Sequence, residues 1–172
     1  MEIFTIILNM LFLTGSEEIV RVEHYIENHK DIAMVEMRRT GIPASIKLAQ
    51  AILESRYGTS SFAKESNNHF GIKCKQYWKG HKYYHKDDDN DKNGNLIKSC
   101  FRAYDHVWDS YIDHSNFLQG SIYYEPLFRI DKKNYKDWAL SLQREGYATD
   151  KAYAHKLINI IEKHKLFRFD SL

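Results

Sequence analysis

The apolar residues of this chain change period in the middle and then change back, and that switch bounds the fold more tightly than any other feature. Between His69 and Tyr104, the segments Phe70-Gly-Ile-Lys-Cys, Lys82-Tyr-Tyr-His and Leu96-Ile-Lys-Ser-Cys-Phe-Arg read as short strands, with Asn93-Gly94 as hairpin turn chemistry. On both sides the spacing is helical. Ser16 is a plausible N-cap before Ile19, Val22, Tyr25 and Ile26, and a second helix is predicted from Asp31, carrying Ile32, Met34 and Val35 inward and ending at Thr40-Gly41. Pro43 suits the first turn of the next helix, because it lacks an amide proton that would be unpaired there, and Gly58 can supply a left-handed stop. Further stripes follow at Trp108, Tyr111, Ile112, Ser115 and Leu118, at Tyr135, Trp138, Ala139 and Leu142, and at Ala154, Leu157, Ile158 and Ile161. The expectation is an α+β chain, mostly helical, with a small antiparallel β-hairpin lobe.

With 172 residues, 43% of them hydrophobic, the chain can build one well-buried core and is short for two. Residues 17–172 are therefore read as a single domain. The 25 Lys and Arg nearly cancel the 23 Asp and Glu, which leaves no basic stripe for a nucleic acid, and a monomer is expected. Residues 3–13 form an apolar run too short to span a bilayer, followed by Thr14, Gly15 and Ser16. Residues 1–16 resemble a secretory signal, although Glu2 stands where a positive charge is usual; the alternative is an N-terminal element packed on the domain. In an exported chain Cys74 and Cys100 can pair and tie the base of the hairpin. Their spacing matches neither a zinc site nor a redox CxxC motif.

One helix carries the chemistry. Gly41-Ile-Pro-Ala-Ser-Ile-Lys-Leu-Ala-Gln-Ala-Ile-Leu-Glu-Ser-Arg-Tyr-Gly58 places Glu54 near its end, just before the polar turn Ser66-Asn-Asn-His-Phe-Gly-Ile-Lys73. On a helical wheel, Ile46, Ala49, Ile52 and Leu53 share one face and Glu54 lies opposite with Lys47 and Gln50, so periodicity alone reads Glu54 as a surface carboxylate. These two segments resemble the signature of the peptidoglycan β-N-acetylglucosaminidases of the autolysin and flagellar-muramidase type. Phe101-Arg-Ala-Tyr104, Tyr111-Ile-Asp-His114, Gly146-Tyr-Ala-Thr-Asp150 and Tyr153-Ala154 follow in the order of that family. The resemblance covers about Ile19 to Phe167 and implies a lysozyme-like α-lobe facing the hairpin lobe, with no cofactor.

It also implies roles. Glu54 would be the general acid that protonates the leaving oxygen of a β-1,4 bond after N-acetylglucosamine in peptidoglycan strands, an endo cleavage. Tyr147 would line the cleft and stabilise the transition state, Asn67 and Asn68 would meet N-acetyl groups, and Tyr57, Phe70 and Trp78 would stack on sugars. Many relatives carry a second glutamate on the β-lobe, but no Glu occurs here between Glu65 and Glu125. Asp87, Asp88, Asp89 and Asp91 stand in that region, and Asp88 is taken as the base for water, with the substrate's own acetamido group and a solvated turn as the other readings. Asp89-Asn-Asp91-Lys-Asn93-Gly94 fits half of a calcium loop, but its closing ligand position holds Cys100, so no metal is expected. The competing functions are a lytic transglycosylase, which would also use one glutamate, and a non-catalytic cell-wall-binding module. Export would bring any of the three to the wall.

Overall fold

The computed structural model describes the backbone of residues 2–90 and 94–171, with side chains from Glu17 onward other than those at 87–90 and 96. Helix α1 spans Glu2–Thr40, α2 Ala44–Ser55 and α3 Ser61–Ser66; strands β1 (Lys82–Asn90) and β2 (Leu96–Arg102) follow, then α4 (Val107–Gln119), α5 (Tyr135–Arg144) and α6 (Tyr153–Lys163). Two 3-10 segments, Ile122–Arg129 and Leu166–Ser171, complete the helical lobe. Neither these nor the short α3 were expected from the sequence. Among the described residues, no helix is long and apolar enough to cross a membrane. Of the segment read as a signal, Met1 and the side chains to Ser16 lie outside the described residues.

Two expectations are corrected in α1. The break predicted at Asp31 is absent, and the helix runs without interruption to Thr40, where Gly41, at φ 81°, donates its amide to the Met37 carbonyl. Val22, Tyr25 and Ile26 are buried as expected, but Ile19 and Val35 are exposed, and in the second half of the helix Ala33 and Met37 form the inward face instead. An isolated Asp in a helix with neither Gly nor Pro around it does not break the ladder, because propensity differences among ordinary residues are small. In α4 the buried face is Ser110, Tyr111, His114, Ser115 and Leu118, and the expected core residues Trp108 and Ile112 point to solvent.

Helix α2 is the axis of the molecule. It packs against α1, α5, α6 and the C-terminal 3-10 segment. Its polar residues Ser45, Lys47, Gln50 and Ser55 are as inaccessible as its apolar ones. The one-sided wheel therefore misplaces its polar face, since a helix enclosed on most sides has no solvent face to assign. At its start Pro43 offers no side-chain cap. The Asp170 carboxylate takes that place, accepting from the Ser45 amide at 2.9 Å and the Ser45 hydroxyl at 2.5 Å. Its stop falls earlier than Gly58, with Arg56, Tyr57 and Gly58 all in the left-handed region at φ 50°, 48° and 74°. Side chains at such φ values cost about 1–3 kcal/mol each, so this turn after Glu54 is held by its surroundings. Chief among them is Ser55, whose hydroxyl accepts from the Gly58 amide at 2.7 Å.

The hairpin is antiparallel, Lys82 pairing with Arg102 and Tyr84 with Cys100, with an irregularity between Lys86 and Asn90. The expected strand at Phe70 to Cys74 is reduced to a bridge from Lys73 to Phe101 beside β2. Cys74 and Cys100 do pair. However, the disulfide joins that short segment to β2 and does not close the base of the hairpin, because Cys100 faces β1 on one side and Cys74 on the other. Closing a loop of this length contributes about 3–4 kcal/mol in the chain-entropy account. Gly94, at φ 81°, supports the turn chemistry, while its partner Asn93 and the Asp91 part of the proposed calcium loop lie outside the described residues.

Candidate active site

Glu54, in the last turn of α2, is half-buried at the meeting point of two adjoining pockets. One, of about 430 Å³, is lined by Phe70 to Lys73, Phe117, Tyr124 and Tyr147 to Thr149. The other, of about 440 Å³, is lined by Arg56, Ser60 to Phe62, His85 and Lys86. Both share Glu54, Gly71 and Phe101, so the three residues form the waist of one groove between the helical lobe and the hairpin. Glu54 is the single carboxylate among the described residues that line these two stretches.

Its neighbours are phenols. Tyr153, at the start of α6 and buried, hydrogen-bonds Glu54, and its hydroxyl accepts from the Gln50 amide at 3.0 Å. Tyr147 stacks on Tyr153 with ring centroids 5.6 Å apart, and its hydroxyl donates to the Phe70 carbonyl at 3.4 Å. Burial holds both phenols well above their ordinary pKa, and the negative charge of Glu54 adds to this. They remain protonated donors beside a carboxylate, an arrangement that can orient an acid and accept developing charge. Sequence reasoning found Tyr147 but missed Tyr153 and Gln50. Gln50 was discoverable as the residue one turn before Glu54; nothing local links position 153 to position 54.

The other expected site residues fare differently. Asn68 is fully buried and shapes the turn: its amide nitrogen donates to the Ile72 and Arg102 carbonyls, at 3.0 and 2.9 Å, and its oxygen accepts from the amides of Phe70 and Ile72. Asn67 caps α3 at φ 53° and donates to the Tyr104 and Asp105 carbonyls. Neither lines the groove at Glu54; their amides are engaged by backbone, which is what makes them turn residues. Phe70 borders the groove, but its ring is core, stacked at 4.1 Å on His114 and edge-on to Tyr111. Tyr57 opens onto a separate pocket of about 400 Å³ on another face, with Tyr25, His29 and His69. Trp78 lies over the Arg102 guanidinium at 4.6 Å and donates to the His81 carbonyl, packed so closely over Gly80 that a Cβ there would come within 2.5 Å of the ring. The exposed ring is that of Tyr77, one residue earlier. Asp88 belongs to β1 by its backbone, two residues beyond the groove-lining Lys86, and its side chain is outside the described residues. Among the described residues, no cluster of His, Cys, Asp and Glu is arranged to hold a metal.

Beneath the groove sits a buried cation. Lys47 donates from Nζ to the Tyr111 carbonyl at 2.9 Å and the Ser115 hydroxyl at 2.7 Å, and lies 3.1 Å from His114 Nδ1. Burial pulls its pKa down to about 7, against the opposing pull of Glu36. Its Nζ is 5.2 Å from the centre of the Phe70 ring, which ties this network to the turn that forms the groove floor.

A helical lobe and a two-stranded hairpin enclosing a groove, with one glutamate at the end of the central helix, define a lysozyme-like glycan-cleft protein. Within that class, the chain belongs to the glucosaminidase family, described as mannosyl-glycoprotein endo-beta-N-acetylglucosaminidase, whose profile matches residues 30–166. It is 35% identical over 163 residues to the exo-glucosaminidase LytG of Bacillus subtilis, covering 91% of this chain and 56% of that protein. With the peptidoglycan hydrolase FlgJ of Vibrio parahaemolyticus it shares 29% identity, over 82% of this chain and 47% of the relative. The chain thus spans about half the length of these relatives. Among solved structures, the catalytic domain of the autolysin Auto from Listeria monocytogenes superposes with a TM-score of 0.76 at 30% identity, covering 87% of each chain. The glycoside hydrolase domain of Salmonella typhimurium FlgJ gives 0.63 at 26%, over 86% of this chain and 90% of that one.

Proposed function

We propose that the chain is a peptidoglycan hydrolase that cleaves the β-1,4 bond after N-acetylglucosamine, with Glu54 as general acid. The observation that carries this is the position of Glu54 at the waist of the groove, hydrogen-bonded to the buried Tyr153. A strand lying in the groove passes the carboxyl with sugars on both sides, which favours internal cleavage over removal of terminal residues. The carboxyl gives its proton to the departing glycosidic oxygen as positive charge develops on the anomeric carbon, and Tyr147 and Tyr153 hold it in place. Asp88, further along β1, is assigned the activation of water. The names of the relatives support the substrate: LytG is an exo-glucosaminidase, FlgJ a peptidoglycan hydrolase and Auto an autolysin. The Cys74–Cys100 disulfide supports work outside the reducing cytoplasm, in the cell envelope, where that substrate lies.

Glu54→Gln should fold as the parent does and leave no clearing band on a cell-wall zymogram, a loss of at least about a hundredfold. Undiminished lysis by that variant sinks the assignment. Because Glu54 is the single carboxylate among the described residues lining the groove's two central stretches, a lytic transglycosylase is the second reading. Mass spectrometry of the products separates them: a reducing end with Asp88→Asn inactive supports hydrolysis, and an anhydro sugar supports the transglycosylase.

A further inference from the structure

The groove does not end at the pocket beyond Glu54. Lys75, Phe117 and Tyr124 line both that pocket and a third, larger one of about 710 Å³, whose walls also include Arg102, Asp113, Tyr77, Ile122 and Tyr123. The chemistry changes along it. Neutral sugars need hydroxyl partners and flat rings, whereas this arm presents the cations Lys75 and Arg102, and its two carboxylates, Asp113 and Glu145, are already paired with Arg102 and Arg144.

Arg102 is 4% exposed and meets Asp113 through Nη1, at 2.9 and 2.7 Å. Its Nη2 has only the Tyr77 hydroxyl, at 3.4 Å, and its buried Nε has no partner among the described residues. The ion pair with Asp113 thus leaves Nε and part of Nη2 without a strong acceptor, and a buried guanidinium gains from a further charged partner there. Tyr104 also donates to Asp113, at 2.6 Å, so that carboxylate is shared and does not saturate the arginine. Lys75, exposed at the joint between the two pockets, forms no ion pair among the described residues. Its backbone is fixed on both sides, by the Cys74 disulfide before it and by the Trp78 amide bonded to its own carbonyl at 2.9 Å. The rim beyond is apolar: Ile122 and Tyr123 are 79% and 74% exposed.

We propose that this third pocket binds the peptide branch of the substrate, Lys75 and Arg102 receiving a carboxylate of the stem while Ile122 and Tyr123 cover its alanine methyl groups. The proposal rests on the reading that the groove holds a peptidoglycan strand. Stems leave that strand from every second sugar and carry free carboxylates, so a strand held at Glu54 directs a branch toward one arm. Tyr77, exposed and only weakly bonded to Arg102, is the side chain that gives way to admit it.

Titration calorimetry on the Glu54→Gln protein tests this without turnover, comparing a disaccharide bearing its tetrapeptide with the same disaccharide freed of peptide. The peptide-bearing fragment should bind roughly tenfold more tightly, and adding Lys75→Met should bring the ratio of the two affinities close to one. Equal affinities in the Glu54→Gln protein, or a preference that persists after Lys75→Met, overturns the proposal. So does a peptide-free tetrasaccharide that gains the tenfold instead, which would mean that the arm holds sugars. Peptide-dependent binding by a chain that cleaves no glycan would sink the hydrolase reading alone, and cleavage without peptide preference would sink this one alone.

Discussion

Tyr153 is where the acid's environment is most open to a clean test. Its hydroxyl links Gln50 to Glu54, and a hydrogen bond donated to a carboxylate favours the ionised form. Tyr153→Phe keeps the ring stacked on Tyr147 and removes only that donor. Turnover should fall about tenfold with little change in KM, because the loss concerns orientation of the acid and not strand binding. An acid must be protonated to act, so the alkaline limb of the pH–rate profile should move to higher pH in the variant, the direction that loss of a carboxylate-stabilising donor dictates. An unmoved limb and unchanged turnover would remove Tyr153 from the machinery.

Asp170 shows what a segment distant in sequence contributes to the helix that bears the acid. It supplies the cap that Pro43 cannot, and it comes from the last turn of the chain. Asp170→Ala leaves the Ser45 amide buried without an acceptor and should lower stability by about 1–2 kcal/mol, read from the shift of the urea midpoint. Asp170→Asn keeps an acceptor and should lose less. Burial raises the Asp170 carboxyl from 3.8 to about 6, so the folded state holds this proton more tightly than the unfolded chain does. Relative to Asp170→Asn, the parent should therefore lose stability as pH rises from about 4 to 6. None of this was legible in the sequence, because a cap supplied from 125 residues away leaves no local signature. What was legible is what period and turn chemistry encode: both strands of the hairpin, the ends of α2 to within a few residues, and the stripes of α5 and α6. The groove was legible only through the ordered motifs, since Asn67, Asn68 and Phe70 mark a turn whose side chains face the backbone and the core.

Lys47 joins these parts into one body. It sits on α2, bonds α4 through Tyr111 and Ser115, feels Glu36 and Arg39 from α1, and lies against the Phe70 ring beneath the groove; His114 stacks on that ring, its Nε2 without a partner among the described residues. A wheel drawn on α2 reads Lys47 as solvated, yet it is fully buried. Its desolvation has a measurable consequence. The folded pKa is about 7 against an ordinary 10.5, so between these values the unfolded chain holds a proton that the folded chain has released. Stability therefore rises with pH across that window, by up to about 1.4 kcal/mol per pH unit for one proton. Below about pH 7 both states carry the charge and its desolvation weighs fully on the folded one. Lys47→Met keeps the length of the side chain and removes the titration. The difference in stability between parent and variant should move in the parent's favour from pH 7 to pH 9, measured by urea denaturation at each pH. A difference that stays flat would mean that the Tyr111 carbonyl, Ser115 and Glu36 hold the ammonium as well as water does. The same series read by lysis of cell walls shows whether the Phe70 turn transmits the change to Glu54: turnover per folded molecule that follows the Lys47 titration in the parent, and not in Lys47→Met, would mark the buried network as part of the support of the site.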